Sequence, residues 1–458
     1  MTTGQATAIT VDPTLGARGG PFTAVTIVTP PSTSTGTAAV QGLKIVFTPT
    51  VTFTGTTTFT FALSNRFATS APALITVTVQ GRPNPAQDPN VNALVTAMTD
   101  ATERFIQTQL TNLGSRLGTL NGGGGSGGGS AGGSGGLSIT LNGHSLATFT
   151  DDSSRELLIY ALEPASGDPV AAAPPAAGPA AAQRLGIWVD GTFDSGSHDG
   201  TPDRVGLNSG GTEVSAGLDY RASSSFAFGL SAGFAQDAND LITGPNEGTR
   251  EYASDLAAYA AERLGNGGFI DAIVGFGNLH FDTRRFSPVT SAMAFGARTG
   301  SDAFASLTAG QRFEAGRFDV APYLGLTGDE ANLNAFTESG AGTGDLTYGN
   351  QAVREVSAVA GLRVQGHYGT GIGDVIPHLT LEYGRRLSGT SIDPIWYADR
   401  PDTVFPILAN QIGSHPLTID LGESLRLPSG FVFDADYRSI VDGQAVQHLL
   451  RIELSKKL

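Results

Sequence analysis

Hydrophobic and polar residues alternate one by one over residues 415–438, which read HPLTIDLGESLRLPSGFVFDADYR. Leu, Ile, Phe and Tyr occupy most positions of one set, where Glu423 is the single charged exception, and Thr, Asp and Arg recur in the other. A period of two residues predicts strands, and the turn Pro428-Ser429-Gly430 predicts a hairpin. Because one face is apolar and the other is charged, the hairpin fits either a soluble sandwich or a membrane barrel.

Residues 185–458 repeat this alternation and predict about twelve strands. We expect long connections near 194–212, 236–250, 282–301, 328–351 and 386–416, with short turns between them. Long loops at one rim and short turns at the other are typical of outer-membrane barrels, and most of the predicted strands are long enough to cross a bilayer. An even number of strands places both ends of the barrel on the periplasmic side.

Two other patterns precede the barrel. Residues 1–80 contain short alternating segments such as GLKIVFTPTVTFTGTTTFTFALSN and APALITVTV, which predict a small β-sandwich. Residues 90–120 change to helical spacing, with Val91, Leu94, Val95 and Met98 on one side. Such a helix is about 45 Å long and exceeds the thickness of a bilayer core, although the same spacing also fits a surface helix packed on a core.

The sequence therefore predicts an all-β protein: a twelve-stranded antiparallel transmembrane β-barrel, a linker helix in its lumen and a small N-terminal β-sandwich. We divide the chain into the sandwich (1–80), a linker and pore helix (81–120), Gly/Ser- and Ala/Pro-rich linkers around a small hairpin or helix (121–184), and the barrel (185–458). The Gly/Ser run 121–136 contains a G-x-S-x-G match, but it lacks the strand and helix that a nucleophile requires.

Composition excludes several classes of function. The net charge is −15, and no basic stripe is present, so we expect no nucleic-acid partner. The chain has no Cys, and its seven His show no metal-ligand spacing, so we predict no metal, no cofactor and no catalytic residues. His198 lies in the acidic stretch FDSGSHDGTPD, which we expect to be a solvated loop.

The polar face of the predicted strands carries small and charged residues, as the wall of a polar lumen would. We predict that sixteen charged residues line the pore: Asp219, Arg221, Asp255, Asp271, Arg312, Asp319, Glu355, Arg363, Glu382, Asp420, Arg426, Asp434, Asp436, Arg438, Arg451 and Glu453. Phe105, Asn112 and Arg116 represent the pore helix. Enclosed carboxylates need cationic partners, and we expect the pairs Asp219–Arg221, Arg312–Glu314, Glu355–Arg363, Asp434–Arg438 and Arg451–Glu453. The many glycines of this face would leave space in the lumen.

Several stretches resemble the C-terminal β-domain of bacterial autotransporters: VSAGLDYRASSSFAFGLSAGFAQD (214–237), GFIDAIVGFGNLHFDTRR (268–285), TESGAGTGDLTYGNQAVREVSAVAGLRVQ (337–365) and GFVFDADYR (430–438). The segment TNLGSRLGTL (111–120) is similar to the linker helix of that family, and residues 1–80 are similar to bacterial Ig-like and cadherin-like surface domains. The self-cleaving members cut between two Asn residues. Thr111-Asn112 stands at the matching place here, so we carry over no catalytic residues.

The resemblance implies an outer-membrane protein of a Gram-negative bacterium that carries its own N-terminal segment to the cell surface by type V secretion and anchors it there. The expected partners are outer-membrane lipid, the outer-membrane assembly machinery and a surface ligand of the Ig-like segment. Two alternatives stay open at this point: a surface adhesin or structural protein in which the barrel is only an anchor, and a passive outer-membrane pore.

Overall fold

The computed structural model describes residues 1–122, 137–141, 144–149, 184–242, 246–389, 391–409, 415–443 and 445–457. Within these ranges the chain forms a small N-terminal β-structure, one long helix, and a large closed sheet that surrounds the helix.

The N-terminal β-structure consists of two small sheets packed face to face. Its strands are β1 (Thr2–Gly4), β2 (Ile9–Val11), β3 (Ala24–Thr29), β4 (Gly36–Gln41), β5 (Lys44–Pro49), β6 (Gly55–Ser64) and β7 (Ala73–Gln80). One sheet has the order β1-β7-β6-β3 and the other has the order β2-β5-β4. Alternate residues such as Phe47, Phe59 and Val77 point into a shared core, where the rings of Phe47 and Phe59 stack. The structure thus agrees with the predicted sandwich.

The long helix α1 (Pro89–Gly122) follows the linker. Asp88 caps its start, because Asp88 Oδ1 accepts a hydrogen bond of 2.9 Å from the Asn90 amide and Pro89 occupies the first helical position. Residues on all sides of the helix are buried, since the barrel wall encloses it. Among the residues that the structure describes, no helix has both the length and the hydrophobicity that a membrane crossing requires.

Twelve long antiparallel strands form the closed barrel. They are β10 (Leu185–His198), β11 (Leu207–Arg221), β12 (Phe226–Leu241), β13 (Gly248–Arg263), β14 (Gly268–Ser287), β15 (Ala292–Gln311), β17 (Phe318–Leu333), β20 (Gln351–Gly366), β22 (Asp374–Ser388), β25 (Leu417–Arg426), β26 (Phe431–Asp442) and β27 (Ala445–Lys457). The first strand pairs with the last, so Asp190 lies opposite Glu453 and every strand has two neighbours. The predicted number of strands is confirmed.

Shorter strands complete the fold. β8 (Leu137–Leu141) and β9 (His144–Phe149) pair as a hairpin, and β16 (Phe313–Ala315) and β21 (Tyr368–Gly369) extend the barrel hairpins. β18 (Phe336–Thr337), β19 (Leu346–Tyr348), β23 (Ser391–Tyr397) and β24 (Phe405–Ala409) form a separate sheet at one rim of the barrel. We call this sheet the cap, the rim that carries it the cap rim, and the opposite rim the turn rim.

The predicted long loops are wrong at three places, 194–212, 236–250 and 282–301, because the strands continue into them. The connection between β10 and β11 spans only 199–206. The hairpin between β14 and β15 turns over residues 288–291 only, and the connection between β12 and β13 spans 242–247. On β14 the outward residues change from apolar, such as Phe276, to polar, such as Asn278, Asp282 and Arg284. The strands therefore project beyond the apolar belt of the barrel, and the polarity of these extensions resembles that of loops.

The outer face of the barrel is apolar and exposed, as Leu230, Phe234, Phe276 and Leu324 show. The inner face is polar and also rich in glycine. At five of these glycines the expected empty space is absent, because a ring from the adjacent strand covers the glycine. The pairs are Trp188 with Gly217, Tyr259 with Gly229, Phe304 with Gly275, Phe269 with Gly310 and Tyr323 with Gly361.

Candidate functional site

The lumen contains helix α1, which runs from the cap rim to the turn rim. Near its start, the side-chain amide of Asn92 donates a hydrogen bond of 2.9 Å to the backbone carbonyl of Asp203, which lies in a connection at the cap rim. Near its end, Arg221 donates to the Leu120 carbonyl at 3.0 Å, beside the turn at 222–225. The helix packs mainly against β12, β13 and β14. On its other side a cavity of about 160 Å³ separates Gly114, Ser115 and Gly118 from the wall.

Arg116 links the helix to the part of the barrel wall where the first and last strands pair. Its Nε and Nη2 atoms donate to Asp219 Oδ2 at 2.9 and 2.6 Å, and Nη1 donates to Glu453 Oε1 at 3.1 Å. All three side chains are buried. Because β11 and β27 lie on the two sides of β10, this one guanidinium contacts both neighbours of the first barrel strand.

The other two predicted helix residues also meet the wall. The Asn112 amide nitrogen donates to Glu213 at 2.8 Å, and its oxygen accepts from Thr192 Oγ1 at 3.1 Å. Phe105 is buried in the hydrophobic cluster that the helix shares with the barrel. Helical spacing placed these residues on the helix, and the structure supplies their partners.

A second group of helix contacts was missed. Arg104 donates to Asp237 at 2.8 Å and to Asn239 at 2.6 Å. Asp100 lies 3.0 Å from His198 Nδ1, and Arg204 donates to the other nitrogen of that imidazole. His198 is therefore a buried part of the helix contact rather than a residue of a solvated loop. The charged run DATER (100–104) within a helical pattern was the signal that could have revealed this group.

The sixteen predicted pore-lining residues all face the lumen, and none is exposed. Around Arg451, the carboxylates of Asp190 and Asp436 lie at 2.5 Å and Glu453 forms a further ion pair. Arg438 pairs with Asp420 at 2.7 Å, and Arg386 pairs with Glu355 at 2.6 Å. Of the predicted pairs only Arg451–Glu453 is present, since Asp219 binds Arg116 and Arg438 binds Asp420 instead. Charges pair across strands and with the helix, which spacing along one strand does not reveal.

Most of the remaining predicted residues form hydrogen bonds within the lumen or line a cavity. Asp271 accepts from Asn121 at 2.7 Å, Asp319 accepts from Gln365 at 2.9 Å, and Glu382 accepts from Tyr323 at 2.5 Å. Asp434 accepts a hydrogen bond from Ser424.

Arg312 and Arg363 line the cavity beside the helix, and Arg426 lines a smaller cavity of about 60 Å³. Both carboxylate oxygens of Asp255 are buried without a hydrogen-bond partner.

Buried ion pairs join the cap to the barrel. Arg298 of β15 donates to Asp393 of the cap at 2.8 Å, to Gln351 at 2.9 Å and to the Gly349 carbonyl at 2.7 Å. Arg285 binds Glu338 through Nε and Nη2 at 2.9 and 2.6 Å. Burial raises the pKa of Asp393 to about 6, and the neighbouring guanidinium opposes that rise.

The cap also packs on the start of the helix and on the N-terminal sandwich. Its apolar residues belong to one hydrophobic cluster with the first helical turns, including Val91, Leu94, Leu346 and Ile395. Arg82 of the linker forms a two-point ion pair with Asp399 at 2.5 Å, Arg400 donates to Gln5 at 3.0 Å, and Tyr397 donates to the Pro83 carbonyl at 3.0 Å. The cap thus lies between the lumen and the sandwich.

A closed twelve-stranded barrel with an apolar exterior, a charged lumen and its own helix inside it defines a membrane-spanning protein of the translocator class. The family model described as autotransporter beta-domain matches residues 187–438, so the chain belongs to that family. The predicted family is confirmed. The barrel is an autotransporter translocator domain, and its location is the outer membrane.

Three solved structures are similar to parts of this chain. The translocator domain of the autotransporter NalP from Neisseria meningitidis is 15% identical, with 60% of this chain and 89% of that chain covered and a TM-score of 0.49. The β-domain of the Bordetella autotransporter BrkA is 15% identical, with 60% and 100% covered and a TM-score of 0.45. The transport unit of AIDA-I from Escherichia coli is 13% identical, with 60% and 90% covered and a TM-score of 0.38. No curated protein matches the chain.

Proposed function

We propose that this barrel carries its own N-terminal segment, the Ig-like sandwich of residues 1–80, to the cell surface and then anchors it there. The observation that supports this most directly is the path of the chain. Helix α1 runs through the lumen, so the sandwich lies outside the cap rim while the chain enters β10 at the turn rim. We assign the cap rim to the extracellular side, because outer-membrane barrels keep their longer connections there.

The helix in the lumen and the cap over its rim favour a barrel that anchors the N-terminal segment over a passive pore. The helix fills the lumen beside β12, β13 and β14, and the cap covers the rim through the buried pairs Arg298–Asp393 and Arg285–Glu338. An open channel would not bury these charges. We propose that the chain acts by transport and anchoring rather than by catalysis. We propose outer-membrane lipid around the apolar belt, the outer-membrane assembly machinery and a surface ligand of the sandwich as its partners.

Epitope accessibility on intact cells tests this orientation. A short epitope is inserted beside Leu15, which is exposed on the sandwich, and in a matched control beside Asn266 in the turn between β13 and β14. We expect antibody to label the first variant on intact cells, and the second only after the outer membrane is permeabilised. Labelling of the Asn266 variant alone on intact cells would reverse the proposed orientation. Equal labelling of both only after permeabilisation would contradict surface display.

A further inference from the structure

Three neighbouring strands bring an imidazole and two carboxylates together on the lumen wall. His378 of β22, Gly422 of β25 and Asp436 of β26 lie in one row of the sheet. The two side chains meet above the glycine, with His378 Nε2 and Asp436 Oδ1 2.5 Å apart. A Cβ atom at Gly422 would overlap both of these atoms. Asp420 adds a third donor, because one ligand atom from each of the three residues lies within 4.8 Å of the others.

The outer oxygens of both carboxylates are held in ion pairs. Asp420 Oδ2 accepts from Arg438 Nε at 2.8 Å, and Asp436 Oδ2 accepts from Arg451. Of the two remaining oxygens, Asp436 Oδ1 lies beside His378 Nε2, and only Asp420 Oδ1 is left for another partner. Asp420 Oδ1 has no hydrogen-bond partner. The residue is nevertheless buried, with an exposed fraction of only 5%. Side chains behind a metal site commonly orient its ligands through such contacts.

The space and the donor atoms at this cluster allow a cation to bind. Four arginines line the cavity beside the cluster, namely Arg363, Arg426, Arg438 and Arg451, and two of them, Arg438 and Arg451, are paired with the donor carboxylates. A cavity of about 60 Å³ borders the three donor residues and has room for water. One imidazole nitrogen and two carboxylate oxygens form a donor set that suits zinc, whereas calcium requires six or more oxygens.

We propose that His378, Asp420 and Asp436 bind one divalent transition-metal ion of the zinc type, with water from the cavity as a further ligand. The ion links β22, β25 and β26 beside the turn-rim half of the helix. Because the three donors meet only after these strands have paired, the metal binds the folded barrel and stabilises it. The spacing of the histidines predicted no metal, because the donors of this site lie far apart along the chain and converge only in the sheet.

Metal content and heat stability of the untagged full chain, folded in detergent, test the site with Zn²⁺ as the probe. We expect the wild type to retain one zinc per chain after dialysis, and to keep its folded gel band to a higher temperature until EDTA is added. His378→Gln should lower the affinity at least ten-fold. His280→Gln is the matched control, since His280 also faces an aspartate, Asp282, but lies on the outer face of the barrel.

A folded gel band identifies variants that have assembled. If His378→Gln does not assemble, Asp420→Asn replaces it, because the asparagine oxygen still accepts a hydrogen bond from Arg438 while the charge at the site is lost. Zinc retention by either assembled variant at the wild-type level would overturn the proposal. The absence of bound zinc in the folded wild type would overturn it as well, and would indicate that a proton on His378 balances the carboxylates instead.

Discussion

At the scale of the residue, paired glycines and aromatic rings determine how the inner surface of the barrel packs. Tyr259 lies directly over Gly229 on the adjacent strand, and its hydroxyl accepts a hydrogen bond of 2.7 Å from Trp188. Trp188 in turn covers Gly217. A neighbour without a side chain lets each of these large rings lie over the adjacent strand.

The substitution Gly229→Val tests this packing. Its side chain would overlap the ring of Tyr259, and overpacking of this kind costs about 1–3 kcal/mol. We expect less folded protein and a lower temperature for the loss of the folded gel band. Gly191→Val is the matched control, because a Cβ at Gly191 meets nothing within 4 Å. Equal behaviour of the two variants would show that the ring moves aside without cost.

Arg116 illustrates a second residue-scale effect, the neutralisation of enclosed carboxylates. In Arg116→Met the carboxylates of Asp219 and Glu453 lose this partner while they stay buried. Breaking a buried pair in this way costs about 3–5 kcal/mol. We therefore expect a clear decrease in the urea concentration at the unfolding midpoint.

The control for Arg116→Met is Arg354→Met, which removes the exposed pair with Glu330 on the outside of the barrel. An exposed pair contributes about 0–1 kcal/mol, so its midpoint should change little. A midpoint for Arg116→Met within that small range would mean that water screens the lumen as effectively as the outer surface.

At the scale of the element, the cap and helix α1 depend on each other. The cap sheet covers Val91, Leu94 and Met98, and those residues in turn cover the apolar face of the cap. In the proposed transport, a chain in transit would not pass through this packed cluster, so the cap would form after the helix has taken its final place. The helix and the cap therefore close the pore together.

The substitution Arg298→Ala tests closure by the cap. It leaves Asp393 buried without its cation, and a buried unpaired charge favours opening of the cap to water. We expect larger and more frequent current steps in planar bilayers than for the wild type. Arg385→Ala, at an exposed arginine on the outer face, is the control and should conduct like the wild type. Unchanged current in Arg298→Ala would indicate that the helix alone closes the pore.

At the scale of the whole molecule, closure of the sheet between β10 and β27 gives every barrel strand two neighbours. A closed barrel satisfies the backbone hydrogen bonds within lipid, which an open sheet does not. We expect the protein from outer membranes to migrate differently on SDS gels with and without boiling, because the closed barrel resists detergent until it is heated. Recovery as a soluble protein without a mobility change, after efficient export, would contradict the membrane barrel.

Much of the fold could be predicted from local pattern. Alternation located all twelve strands, and helical spacing located α1 within two residues at either end. The strand ends near 282–301 were misplaced, since the outward residues become polar where the strands leave the apolar belt. The orientation of Asp219 and Arg438 towards the lumen could be predicted, but their partners could not.

The sequence by itself determined which residues face inward and which face outward, because a strand has a fixed period of two and a helix has a period of 3.6. Tertiary structure decided which residues meet. Arg116 reaches Asp219 and Glu453, and His378 reaches Asp436, through contacts between residues far apart along the chain. These contacts depend on strand register and on closure of the barrel. Both are set only when the whole sheet has formed, so no local pattern specifies them.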